Sequence, residues 1–196
     1  MTGNELITEF DAVVRNDLYP IGASTSAAKL VLLNTSARRI MHLLKIVVRS
    51  VPVTYTTGTT RYNLLTAPSL PIDEVNRLVY NDVDYPRSAN EDDLGWSQVD
   101  DYIDVFAEIV DTETFYLHGY QSARPITATD TQITDVPTDL HLCIVQLAIV
   151  DGCVAHEDDP AQMTRLQRLE RTAIDKINRR VAKNASTAFP FINSRT

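Results

Sequence analysis

The residues able to do chemistry are few and scattered. Asp82-Val-Asp84 has the spacing of the acidic pair used by some metal-dependent transferases, and His156-Glu-Asp-Asp159 gathers four potential ligands. Glu91-Asp-Asp93 together with Asp100 and Asp101 could collect a divalent cation, but lacks the alternating spacing and the glycine of a calcium loop. Each has a plainer structural role. Asn and Asp at a strand turn satisfy turn chemistry, and a cation such as His at a helix end followed by acids at the next helix start suits both dipoles. The histidines, His42, His118, His141 and His156, are spread along the chain. No glycine-rich phosphate loop, metal-spaced cysteine pair or nucleophile-elbow serine occurs. No catalytic residue, metal site or cofactor is therefore assigned.

Charge is the stronger signal. Residues 1–159 carry 10 Lys and Arg against 24 Asp and Glu, net −14, whereas 160–196 carry 8 against 2, net +6. Arg165, Arg168, Lys176, Arg179, Arg180 and Lys183 cluster on one side of the last predicted helix, opposite Met163, Leu166, Leu169, Ala173, Ile174, Ile177 and Val181. Such a face has three readings: solvated surface, nucleic-acid contact or protein contact. No aromatics interleave with the basic residues, and the acidic remainder repels phosphate. A protein contact is favoured, with Glu91, Asp92, Asp93, Asp100 and Asp101 as the matching acidic surface.

The elements that must carry these residues begin with Asp135–Pro160, the most apolar run, expected as a central helix over about 138–156 that is buried on most sides. It is too short and interrupted for a membrane span. Thr2-Gly-Asn-Glu5 has capping-box spacing and opens a helix over about 4–19. Ser24 or Ser26 caps a second, over about 26–49. Pro160 at the first position starts a fourth, to about 184. Between the helix pairs, about 51–120, lies an antiparallel β region of hairpins. Val53–Thr57 is expected to pair with Arg61–Leu65 about Gly58, and Glu74–Tyr80 with Val83–Tyr85. Ile103–Val110 is expected to pair with Phe115–His118, though Phe106–Val110 could equally extend a helix from Ser97. The expected class is α+β, mainly α, with a four-helix core in one domain over 1–184. Cys143 and Cys153 read as core filler. The first residues read as polar helix rather than a leader, so folding in the cytoplasm is expected.

The helix pattern Leu33-Asn34-x-x-x-Arg38-Arg39-Ile40, the strands Thr60–Leu64 and Arg77–Tyr80, the mid-chain Trp96, Val136-Pro137-Thr-Asp-Leu140 and the closing basic helix occur in an order that resembles the head-to-tail connector (adaptor) proteins of tailed bacteriophages. The resemblance spans roughly residues 4–184 and rests on order and local patterns. It departs in the strand after Tyr62, which lacks a following proline, and in the acidity of residues 86–102. It implies a non-enzymatic virion protein of the neck, made in the host cytoplasm. Copies would form a twelve-fold homo-oligomeric ring docked on the portal protein, with a tail or nozzle protein below. The ring would extend the channel through which genome DNA passes without sequence-specific binding, and no membrane is involved. Residues 185–196 would form a docking tail, with Phe189, Pro190, Phe191 and Ile192 on the portal. The competing expectations are a small metal-dependent enzyme and a nucleic-acid-binding regulator using the basic helix.

Overall fold

The computed structural model describes residues 1–14, 19–20, 25–88, 94–106, 109, 112–130, 135–154 and 160–188, with backbone only at 19–20, 154 and 185–188. The fold is α+β. Its described elements are α1 (Gly3–Val14), β1 (Tyr19–Pro20), α2 (Ser26–Leu44), β2 (Val47–Thr54), β3 (Arg61–Asn63), β4 (Ile72–Tyr80), β5 (Val83–Tyr85), β6 (Trp96–Val99), β7 (Tyr102–Val105), β8 (Thr114–Gln121), α3 (His141–Gly152), β9 (Cys153–Val154) and α4 (Pro160–Ala188). The chain was expected as a single domain over 1–184. It divides into two compact units, one of residues 1–44 with 126–196 and one of residues 45–125.

The helical unit is organised around α3, which packs against α1, α2 and α4. Cys143, Ile144, Val145, Leu147, Ala148 and Ile149 are all buried, and Leu142 is the exposed exception. Each large apolar side chain buried this way contributes about 1.5–3 kcal/mol. The α1 capping box forms as its spacing requires: the Glu5 amide donates to Thr2 Oγ1 at 3.1 Å, and the Thr2 amide donates to Glu5 Oε2 at 2.8 Å. At α2 the cap is Thr25, whose hydroxyl accepts the Ala28 amide at 3.2 Å, between the two serines expected for that role.

Tyr19, expected to close the first helix, lies instead in β1 opposite Val154, and two further helices end earlier than their apolar periodicity predicts. Helix α2 stops at Leu44 because Lys45 takes a left-handed conformation, φ 45°, and the β-branched run Ile46-Val47-Val48 then enters a sheet. Helix α3, preceded by a 3-10 turn over Thr138–Leu140, stops at Gly152, and Cys153 is extended against Pro20. The two cysteines are therefore on different elements, both free and buried.

The β unit holds two antiparallel sheets, ordered β2-β8-β4-β5 and β3-β7-β6. Of the expected hairpins, β4–β5 forms, through Asn81 and Asp82 at φ 49° and 61°. The other two do not. The segments flanking Gly58 part, β2 pairing with β8 and β3 with β7, and the segments flanking residues 111–114 likewise join different sheets. A turn at Asp100-Asp101 instead joins β6 to β7, with Val99 opposite Tyr102. The reason is burial: Val51, Val53, Phe115 and Leu117 of one sheet share a single core with Trp96, Ile103 and Val105 of the other. Local hairpins would have left these inward faces uncovered. Gln98 ties the sheets together, its Oε1 accepting the Val75 amide at 2.8 Å and its Nε2 donating to the Asp73 carbonyl at 2.7 Å beside a β4 bulge.

Candidate functional site

Helix α4 is 29 residues long but buries only a narrow stripe, with Leu166, Ala173 and Ile177 fully inside and Leu169, Ile174 and Val181 half-buried. The remaining circumference faces solvent, and Met163 of the expected apolar side is half exposed. Steps of three or four residues align Arg165, Arg168, Thr172, Lys176, Arg179 and Lys183 in one row. From Arg168 to Lys183 the row runs about 22 Å at the α-helical rise.

The six basic residues expected to act together are not equivalent. The Arg165 guanidinium turns inward and donates to the Val13 carbonyl, in the last turn of α1, at 2.9 Å. Arg180 lies on the half-buried side, 3.7 Å from Asp139. Arg168, Lys176, Arg179 and Lys183 stay exposed. Among the described residues Arg168 and Arg179 meet no carboxylate. Lys176 Nζ, although exposed, is close enough to oppose the upward pKa shift that burial gives the Cys143 thiol. The acids of α4 are Glu170, 3.8 Å from Arg39, and the exposed Asp175.

Of the expected acidic surface, Glu91, Asp92 and Asp93 lie outside the described residues. Asp100 and Asp101 form the β6–β7 turn, with Asp100 exposed at φ 51°. Its backbone is held by Gln98 Nε2, which donates to the Asp100 carbonyl at 3.2 Å, and by the Leu64 amide, which donates to the Asp101 carbonyl at 2.8 Å. The side chain of Asp100 thus projects from a fixed turn. The expected docking residues Phe189, Pro190, Phe191 and Ile192 also lie outside the described residues.

The carboxylates and histidines with metal-ligand chemistry serve the framework. The Asp84 carboxylate accepts the Arg77 Nε hydrogen at 2.5 and 2.6 Å, which raises the Arg77 pKa, and Asp82 is a turn residue. His141 is buried with Nε2 2.9 Å from the Val136 carbonyl, so this nitrogen carries the proton. On β8, burial and then the nearby Arg77 charge push the His118 pKa down. Among the described residues no three His, Cys, Asp or Glu side chains are grouped to hold a metal ion, and His156–Asp159 lie outside them. No helix of the described residues is long and apolar enough to cross a membrane.

The residues carrying the sequence pattern prove to be framework as well. Asn34 Nδ2 donates to the Ile126 carbonyl at 3.1 Å, and Asn34 Oδ1 accepts the Ile126 amide at 2.5 Å. Arg39 reaches Asp151 at 3.4 Å. Tyr62 Oη accepts the Thr56 amide at 3.1 Å, and Tyr80 donates to Glu113. The buried Trp96 indole donates to the Tyr85 carbonyl at 3.0 Å beneath the Arg87 guanidinium. Neither Gln98 nor Thr172 stands out in the sequence. A lone Gln in a short strand reads as surface, and Thr172 gains meaning only from the row it occupies.

No family model matches the chain, and no curated protein matches it. Among solved structures, a chain from the neck of an empty GTA particle, computed with C6 symmetry, aligns over 83% of this chain and 87% of that chain, at 16% identity and a TM-score of 0.29. A score that low carries no argument about fold or function.

Proposed function

We propose that this chain is a structural protein of the neck of a tailed-phage-type particle, forming a homo-oligomeric ring that docks on the portal and continues the DNA channel toward the tail. The observation that carries this reading is the nesting of the fold. Two N-terminal and two C-terminal helices share one unit, and the β region is inserted between them. That order is the one on which the connector resemblance rests, and its pattern residues Asn34, Tyr62, Tyr80 and Trp96 hold this framework together. A twelve-fold ring, a tail-side protein below it and a portal contact through Phe189, Pro190, Phe191 and Ile192 belong to the same proposal.

The test is electron microscopy and native mass spectrometry of the purified chain, alone and mixed with the portal protein from the same particle. Rings seated on the portal are expected. A chain that stays monomeric and leaves the portal bare overturns the reading. Removing residues 186–196 is expected to abolish portal attachment and leave the circular dichroism spectrum unchanged, whereas undiminished attachment removes the tail from the proposal.

A further inference from the structure

Charge differs between the units as well as along the chain. Residues 45–125 hold 6 Lys and Arg against 13 Asp and Glu, net −7, while the helical unit holds 12 against 13, net −1. The helical unit is close to neutral overall, yet eight of its twelve Lys and Arg residues lie within 160–196, four of them in the exposed row Arg168, Lys176, Arg179 and Lys183. The β unit presents exposed acids on two two-residue turns, Asp82 between β4 and β5 and Asp100 between β6 and β7.

Building on the ring proposed above, we propose that the α4 row docks on the acidic turns of the β unit of a second copy of this chain. Because the two surfaces differ, the contact can repeat head-to-tail from one copy to the next. Repetition of such a contact with a rotation that closes makes a ring, whereas a self-complementary patch stops at a dimer. A second copy fits the row better than nucleic acid, because every molecule also carries a β unit of net −7 that repels phosphate. Single exposed ion pairs contribute little, so the contact depends on the whole row and is screened by salt.

The experiment uses the full chain and two charge-reversed forms, Arg168→Glu with Arg179→Glu, and Asp82→Lys with Asp100→Lys. Sedimentation and native mass spectrometry are run from low to high salt, with circular dichroism confirming that each form is folded. The unchanged chain is expected to assemble at low salt and dissociate at high salt. Each reversed form alone is expected to need about tenfold more protein to assemble, or to fail. An equimolar mixture of the two is expected to recover assembly with equal numbers of each, because every reversed row then meets a reversed turn. Rings indifferent to salt and to both reversals, or a mixture that does not recover, overturn this contact and leave the ring itself standing. A chain that never self-associates, with or without portal, overturns the ring and this contact together. Retarded DNA in a gel shift, lost in Arg168→Glu with Arg179→Glu while assembly persists, reassigns the row to nucleic acid and also overturns the contact.

Discussion

Asn34 offers its amide to both sides of one peptide unit, and this makes it a stability residue although its type and motif position suggest recognition. Asn34→Ala is expected to cost about 1–3 kcal/mol, because the backbone of the buried Ile126 loses both partners. The check is the midpoint of a denaturant titration. Both thiols should be silent in the native chain, since burial pushes Cys153 up to about 11 and also raises Cys143. Labelling at pH 8 is expected only after unfolding, and fast native modification of either would contradict the buried placement. His118 gives a pH dependence of definite sign. Its native pKa lies below the ordinary 6.5, so as pH falls beneath 6.5 the unfolded chain binds more protons than the native one. Stability from this group is therefore complete above 6.5 and is lost on acidification through the lower native value. His118→Gln is expected to flatten that part of the profile of stability against pH.

Helices were readable from the chain wherever a single stripe or cap defines them, as at Thr2–Glu5 and Pro160. Strand pairing was not. Period-2 alternation identifies β2, β3, β7 and β8 but contains no information about partners, and the nearest-neighbour choice failed at Gly58 and at residues 111–114. The decision lay in the shared burial of Trp96, Phe115 and Leu117, a property of two sheets that no short window contains. Helix ends failed for a related reason. Val47 and Val48 fit the apolar period of α2, and only the left-handed Lys45 breaks it. The candidate site was half legible: the basic row could be read from spacing, but the inward turn of Arg165 depends on where α1 ends. Asp82→Gly is expected to raise stability by up to about 1 kcal/mol, because Asn-Gly fits a turn with two positive φ angles better than Asn-Asp. Thermal unfolding of the variant checks this.

At the scale of the molecule, the two units carry separate reporters. Trp96 is the only tryptophan and is buried in the β unit, while α1 to α4 all belong to the helical unit. Unfolding followed by tryptophan fluorescence and by helical circular dichroism is expected to give two different midpoints, and coincident curves would mean that the units unfold as one. The Gln121 amide donates to the Ile46 carbonyl at 2.8 Å, so the β unit leaves the helical chain and rejoins it at adjacent points. An insert whose ends already touch adds little closure entropy to its host, whatever its own length. In engineering terms the β unit is a cassette: a host of this kind should accept a different domain, or a short glycine-serine bridge, at the same junction.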